Sequence, residues 1–190
     1  MNAKKAVRLA LAHKTIIPAF NIPYLPMVEP VTQAIADENS VAMVQVARLE
    51  WEKFESESPD AVAKEYFKFQ KPGYTLLHLD HVPAIDEDQK EVDFLPLLQR
   101  ALDAGYQSVM VDGSRLPLEE NIAVTAKTAA LAAKYNAGVE AELGAVAGHE
   151  GSGIGLSYEE LFTSKKGFTK TEEARRFAKE SGCDWLSVAV

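Results

Sequence analysis

Short apolar runs rich in β-branched residues recur along this chain, and the segments between them have helical periodicity. The runs predict about six strands, at residues 15–21, 41–47, 74–80, 107–112, 137–142 and 184–190. One strand and one helix together occupy roughly 30 residues, the length of a βαβ crossover unit. Because the strands are apolar nearly throughout, we expect a parallel sheet that is covered on both faces.

Helices between the strands are indicated by apolar side chains spaced at i, i+3, i+4 and i+7. This pattern occurs at residues 27–35, 62–69, 94–102 and 122–133. Ser58, followed by Pro59, predicts the start of one helix. Thr169 and Glu172 have the spacing of a capping box and predict the start of another. The alternation of strands and helices defines an α/β fold.

A barrel is favoured over an open dinucleotide-binding sheet. The glycine-rich turn of the dinucleotide fold is absent, because Ile-Pro-Tyr-Leu-Pro follows Asn21. The chain has 190 residues, whereas a (β/α)8 TIM barrel typically has roughly 250. We therefore expect residues 1–190 to form a single, incomplete TIM-barrel domain that supplies about the first six strands.

Composition excludes several classes of function. Twenty Lys and Arg residues against 28 Asp and Glu give a net charge of −8, which opposes binding to nucleic acid or to an anionic membrane. The sequence contains no apolar run near the ~20 residues that a membrane span needs, and the apolar stretch at its start is too short for a secretory signal. The single cysteine, Cys183, fits a reducing compartment, so we expect a cytoplasmic protein.

Acidic residues or histidines end three of the predicted strands: His78, Asp80, His81, Asp112, Glu140 and Glu142. Barrel enzymes carry their catalytic residues at the carboxyl ends of the strands. A buried carboxylate without a partner is costly, so these groups indicate a metal, a substrate or mutual hydrogen bonds. A single strand-end aspartate is more often a helix cap or a turn residue, but three strands with the same feature favour a site.

The histidines differ in what they indicate. Asp80 and His81 are adjacent and would point to opposite sides of a regular strand, but the following Val82-Pro83 favours a departure from regular geometry. We interpret His78 as an interior histidine rather than a ligand. His149 lies in a long Gly-rich connection over residues 144–169, which is either a mobile active-site loop or a surface excursion.

Four motifs in this order resemble the class II, metal-dependent ketose-bisphosphate aldolases: PAFN at 18–21, LHLDH at 77–81, GYQSVMVDGSRLPLEENI at 105–122 and VEAELGAVAG at 139–148. The resemblance covers nearly the whole chain. It implies a (β/α)8 barrel that reversibly cleaves a phosphorylated ketose, similar to fructose- or tagatose-bisphosphate, to dihydroxyacetone phosphate and an aldehyde. It also implies a homo-oligomer, either a dimer or a tetramer.

The resemblance assigns roles to individual residues. It implies that His81 is a ligand of a catalytic zinc ion and that Asp80 exchanges a proton with the substrate's C4 hydroxyl. Asp112 and Glu142 match acidic positions of an alternate metal position, and Asn21 matches a substrate-binding asparagine. Two further zinc-binding histidines of the family are expected beyond the end of this chain. A second cation, divalent or monovalent, is left open.

Two departures from the family pattern keep other readings open. Val82 replaces the glycine that usually follows the zinc-ligand histidine, and Ala47 replaces a serine associated with phosphate. The ketose phosphate could therefore differ. One alternative is a magnesium-dependent barrel enzyme that uses Asp80, Asp112 and Glu142. The other is a non-catalytic, truncated or degenerate aldolase-like binding protein.

Overall fold

A single parallel sheet forms the centre of the protein in the computed structural model, which describes residues 2–144 and 157–190. Its strands are β1 (Ala19–Asn21), β2 (Ala42–Ala47), β3 (Thr75–Pro83), β4 (Ser108–Asp112), β5 (Gly138–Leu143) and β6 (Trp185–Val188). Neighbours in the sheet follow the order of the sequence, and every pair is parallel. The sheet curls into a half-barrel, and the prediction of about six strands is confirmed. β1 is shorter than predicted, and β3 extends further, to Pro83.

Helices precede or connect the strands. They are α1 (Ala3–His13), α2 (Val28–Asp37), α3 (Arg48–Lys53), α4 (Pro59–Phe69), α5 (Phe94–Asp103), α6 (Leu118–Ala133), α7 (Tyr158–Ser164) and α8 (Thr171–Glu180), with a 3-10 turn at Leu25–Met27 before α2. The four segments with apolar helical spacing all contain helices. None of the helices in the described parts of the chain is long and apolar enough to cross a membrane.

The hydrophobic core lies between the sheet and the helices. Alternate strand residues such as Val44, Val46, Leu77 and Leu79 are completely buried there, together with Leu98 of α5. Because side chains alternate along a strand, the residues between them face the interior of the half-barrel. The interior of the half-barrel therefore receives the polar residues of the strands.

One of the two predicted helix starts is correct. The Ser58 hydroxyl oxygen accepts the N–H of Ala61 at 3.1 Å and caps α4. The predicted capping box at Thr169 is wrong, because α8 begins at Thr171 and its N-cap is Lys170, without a side-chain cap. The Thr169 hydroxyl instead donates to the carbonyl of Leu143 and accepts the N–H of Ala189 at 2.8 Å. These bonds tie the segment before α8 to the ends of β5 and β6.

Three helices were not predicted. The Asn2 side chain caps α1 by accepting the N–H of Lys5 at 2.9 Å, and α3 follows β2 directly. α7 lies in the long connection after β5 that was expected to be a loop, and Ser157 forms a capping box with Glu160 at its start. Residues 145–156 of that connection lie outside the described residues.

Truncation of Leu98 tests whether α5 is held by core packing. Leu98 is completely buried, so Leu98→Ala should lower the free energy of unfolding by about 2–5 kcal/mol. Leu9→Ala is the matched control, because the Leu9 side chain on α1 is 42% exposed and should cost much less. Urea denaturation followed by circular dichroism measures both. Equal losses in the two variants would contradict the described core.

Candidate active site

An irregularity in β3 brings Asp80 and His81 to the same cavity. The pairing of β3 with β4 shifts between Leu79, which pairs with Val109, and Val82, which pairs with Val111. Asp80 and His81 therefore both lie opposite Met110. This is a β-bulge. His81 has φ of +28°, a backbone conformation that non-glycine residues rarely adopt. The Asp80 and His81 side chains consequently line one cavity of about 670 Å³. The departure from regular strand geometry that Val82-Pro83 suggested is therefore present, just before these two residues.

His81 meets carboxylates from the next two strands. Its Nδ1 lies 3.3 Å from Oδ2 of Asp112 and 3.6 Å from Oε2 of Glu142. One ligand atom from each of the three side chains falls within 4.8 Å of the other two. A nitrogen and two carboxylate oxygens at this spacing fit a divalent transition-metal ion. The fold therefore brings together His81, Asp112 and Glu142, the three residues that the family resemblance associates with metal.

The electrostatics of this group favour positive charge at its centre. Burial acts to lower the pKa of His81, but the hydrogen bond with Asp112 and the charges of Asp80 and Glu142 outweigh it and raise the pKa from 6.5 to about 9. Burial likewise acts to raise the pKa of Asp112, but hydrogen bonds from His81 and Ser114 lower it below its ordinary value. At neutral pH the His81 ring of the metal-free protein is therefore an imidazolium, and its positive charge lies between the carboxylates that would hold a metal ion.

The V-D-G-S motif at the end of β4 holds Asp112 in place. The backbone N–H of Ser114 donates to Oδ1 of Asp112 at 2.9 Å. Gly113 is required by close packing, because a Cβ there would lie 2.3 Å from Oδ1 of Asn121. Asn121 in turn donates to the carbonyl oxygen of Glu142 at 2.8 Å. The start of α6 is thereby fastened to the ends of β4 and β5, which carry two of the acidic residues.

Asp80 is held by two side-chain amides rather than by the group around His81. Its Oδ2 accepts a hydrogen bond from Asn21 Nδ2 at 2.9 Å and another from Gln45 Nε2 at 2.9 Å. Gln45 Nε2 also donates to Oδ1 of Asn21 at 2.8 Å, which orients both amides. Asn21, predicted to bind substrate, therefore also positions the predicted acid/base residue.

Gln45 and Glu50 belong to the site but were not predicted. Oε2 of Glu50 accepts the N–H of Ala47 at 2.7 Å and the amide of Asn21 at 3.2 Å. Burial raises the pKa of Glu50, and the nearby charge of Asp80 adds to this, although the two hydrogen bonds oppose it. The position of Gln45 in the otherwise apolar strand β2 was a sequence signal that could have identified it as a site residue. Glu50 stands among several charged residues, and nothing local distinguishes it.

His78 is an interior histidine, as expected from the sequence. Its side chain is 1% exposed, its Nδ1 lies 2.8 Å from Oγ of Ser108, and its Nε2 lies 3.3 Å from Oε2 of Glu140. Trp185 Nε1 donates to the same oxygen of Glu140 at 2.6 Å. These contacts form a polar layer inside the half-barrel, separate from the ligand atoms around His81. His149 lies outside the described residues.

The strand order and the polar groups at the carboxyl ends of the strands define an α/β-barrel protein with its site at the usual face of that fold. The family described as fructose-bisphosphate aldolase class-II matches residues 1–190. The chain belongs to this family of aldolases, and the resemblance drawn from the sequence motifs is confirmed. Members of the class II family are generally metal-dependent, which agrees with the grouping of His81, Asp112 and Glu142.

Individual relatives match almost all of this chain. The D-tagatose-1,6-bisphosphate aldolase subunit GatY of Klebsiella oxytoca is 31% identical over 186 residues, which are 98% of this chain and 58% of that protein. The 6-phospho-5-dehydro-2-deoxy-D-gluconate aldolase of Bacillus licheniformis is 30% identical over 195 residues, covering 100% of this chain and 59% of that protein. The chain thus spans less than two thirds of these relatives.

A solved structure shows the same fold. The YdjI aldolase of Escherichia coli K12 superimposes with a TM-score of 0.74 at 22% identity, covering 98% of this chain and 61% of that one. The prediction that the chain supplies about the first six strands of a TIM barrel is confirmed.

The pKa of His81 provides a test of the site geometry. In protein treated with a chelator, Asp112→Asn should lower this pKa from about 9, because it removes the charged hydrogen-bond partner. Asp88→Asn is the control, since Asp88 lines the same cavity but is 71% exposed and pairs with Lys90. Titration of the imidazole signals by NMR measures the shift. An unchanged pKa in Asp112→Asn would contradict the contact.

The same raised pKa has a consequence for stability. Because the folded pKa lies above the ordinary 6.5, the His81 imidazolium stabilises the metal-free fold fully below about pH 6.5, and this contribution is lost as the pH rises through about 9.

Proposed function

We propose that the intact protein containing this chain is a zinc-dependent aldolase. It reversibly cleaves a phosphorylated ketose, of the fructose- or tagatose-bisphosphate kind, to dihydroxyacetone phosphate and an aldehyde. The observation that carries this proposal is the bulge that brings Asp80 and His81 to one cavity, beside Asp112 and Glu142. A phosphorylated sugar as substrate is supported by the names of the relatives. One is a D-tagatose-1,6-bisphosphate aldolase subunit, and the other is a 6-phospho-5-dehydro-2-deoxy-D-gluconate aldolase.

The donor set supports zinc over magnesium. His81 belongs to the group of ligand atoms, whereas Asp80 is engaged by the amides of Asn21 and Gln45. Magnesium prefers oxygen ligands alone, and imidazole suits zinc. We propose that His81 holds the catalytic zinc, that two histidines from outside this chain complete its ligands, and that Asp112 and Glu142 serve an alternate or second cation position. A zinc ion held there would supply Lewis-acid stabilisation of the negative charge that develops on the substrate oxygens.

Asp80 is the proposed acid/base residue. In cleavage it accepts the proton of the C4 hydroxyl, and in condensation it returns that proton. Both amides donate to its Oδ2, so Oδ1 is the candidate proton acceptor. Asn21 and Gln45 hold the carboxylate in one orientation, which limits the reorganisation needed when the proton moves.

The remaining expectations are part of the same proposal. We propose that residues 1–190 belong to one barrel domain, which the continuous six-stranded sheet supports. We also propose that the protein forms a homodimer or homotetramer and acts in the cytoplasm, which the family resemblance and the single cysteine support.

Substitution of Asp80 tests the assigned chemistry. Asp80→Asn keeps the shape of the side chain but cannot accept a proton, so kcat for ketose bisphosphate cleavage should fall by at least about 100-fold. The assay couples release of dihydroxyacetone phosphate to NADH oxidation. Asp88→Asn, a change of the same type at the exposed edge of the cavity, should retain activity. Full activity in Asp80→Asn would exclude the proposed role.

Metal removal is an independent test. Treatment with a chelator should abolish cleavage, and zinc or cobalt should restore it, while His81→Ala should reduce the zinc content measured by elemental analysis. Leu9→Ala, a substitution on α1 outside the cavity, should leave the zinc content unchanged. Stoichiometric magnesium in active protein would favour the magnesium alternative. Absence of both metal and activity in the intact protein would favour a non-catalytic binding protein.

A further inference from the structure

Glu50 is more buried than its role as a helix cap requires. It lies in the first turn of α3, where its Oε2 accepts the N–H of Ala47 at 2.7 Å and so caps the helix. The same bond occurs at the start of α7, where Oε2 of Glu160 accepts the N–H of Ser157 at 2.7 Å, but Glu160 is exposed. Glu50 is only 9% exposed. Capping alone therefore does not explain where Glu50 lies.

Glu50 and Asp80 share the side-chain amide of Asn21. Asn21 Nδ2 donates to Oε2 of Glu50 at 3.2 Å and to Oδ2 of Asp80 at 2.9 Å. An amide nitrogen carries two hydrogens, so each carboxylate receives one of them. The amide oxygen of Asn21 accepts from Gln45 Nε2 at 2.8 Å. Exchange of the oxygen and nitrogen of Asn21 would place its oxygen against both carboxylates, so the two carboxylates fix the orientation of the amide.

The backbone around Glu50 is fastened to the end of β1. The hydroxyl of Ser56, which is completely buried, lies 2.7 Å from the carbonyl oxygen of Ile22 and 3.0 Å from the carbonyl oxygen of Glu50. Ile22 directly follows Asn21 in the chain. Because a buried hydroxyl needs hydrogen-bond partners, this contact holds the first turn of α3 beside β1. The distance between Glu50 and Asn21 is therefore set by backbone contacts as well as by the side chains.

This position of Glu50 is unfavourable for the stability of the fold. Burial raises the pKa of Glu50, and the nearby charge of Asp80 adds to that effect. Both effects mean that the charged carboxylate is less stable here than in water. Glu50 nevertheless lines the same cavity as Asp80, the proposed acid/base residue. A costly charged group beside the reacting groups indicates a role in the chemistry rather than in folding.

We propose that Glu50 is a positioning residue for Asp80 and that it acts through Asn21. By accepting one N–H of the Asn21 amide, Glu50 keeps the other N–H directed at Oδ2 of Asp80, which leaves Oδ1 of Asp80 to accept the substrate proton. Without Glu50 the amide can rotate and the carboxylate of Asp80 loses an oriented partner. Proton transfer requires a well-placed acceptor, so the rate falls. This inference rests on the proposed aldolase function.

A double-mutant cycle tests whether Glu50 acts through Asn21. Glu50→Ala should lower kcat for ketose bisphosphate cleavage by about tenfold or more, with KM little changed, because the proton acceptor is misaligned. In the Asn21→Ala background, the same substitution should lower kcat much less, because no amide remains for Glu50 to hold. Loss of the helix cap affects both backgrounds alike. Equal losses of kcat in the two backgrounds would therefore overturn the proposal.

Two further variants separate positioning from a general effect on α3. Glu52→Ala removes a carboxylate from the same helix that pairs with Arg48 and does not line the cavity, and it should retain kcat. Glu50→Gln keeps an oxygen that can accept both N–H groups, so its kcat should be well above that of Glu50→Ala. Thermal melting should show that each variant is folded at the assay temperature. A kcat of Glu50→Gln as low as that of Glu50→Ala would contradict the proposal.

The side-chain amide of Asn21 provides a test that needs no catalysis. NMR of the intact protein measures how fast its two hydrogens exchange with water, and Asn21→Ala identifies the signals by their loss. Glu50→Ala should free one hydrogen and speed its exchange several-fold, whereas Glu52→Ala should not. If the unmodified protein cleaves no ketose phosphate but this pattern holds, the aldolase function is refuted and the positioning of Asn21 by Glu50 stands. Equal exchange in all of these proteins would refute the positioning.

Discussion

The bulge at Asp80 and His81 is the constraint on which the site depends. In a regular strand His81 would face the same side as Leu79, toward the completely buried apolar core under the helices. A cationic imidazole there would have no partner, and burying it would be costly. The bulge avoids that cost at the expense of a strained backbone, with φ of +28° at His81. The ion pairs of His81 with Asp112 and Glu142 offset this strain.

Positive charge at His81 compensates for the proximity of two carboxylates at neighbouring strand ends. Asp112 and Glu142 approach one another at the ends of β4 and β5, and each carries negative charge into a partly enclosed space. The His81 imidazolium balances that charge, and a metal ion held by these three residues would balance it in the same place. With the proposed metal bound at His81, a proton and the metal ion would compete for one position, and metal affinity would rise with pH. The Asp80 carboxylate is hydrogen-bonded to Asn21 and Gln45, and it acts on His81 only through its charge.

Local sequence patterns predicted the presence of the strands more accurately than the residues at which strands and helices begin and end. Runs of β-branched residues identified each of the six strands in the described residues, because an apolar strand can be recognised from a few consecutive residues. The predicted cap at Thr169 was wrong because its hydroxyl bonds to the ends of β5 and β6 instead of the helix. Gln45 and Glu50 were missed for a related reason. Their partners, Asp80 and Asn21, lie 35 and 29 residues away, so their roles depend on which strands become neighbours.

The amino-acid sequence was enough to predict the alternation of strands and helices, the parallel sheet, and which strands end in acids or histidine, because periodicity and residue type are local properties of the chain. It also carried the motifs that define the family. Only the three-dimensional structure shows that His81 turns toward Asp112 and Glu142 and that Asn21 and Gln45 hydrogen-bond to Asp80. These contacts depend on strand register and on one bulge, which are set by pairing between distant segments.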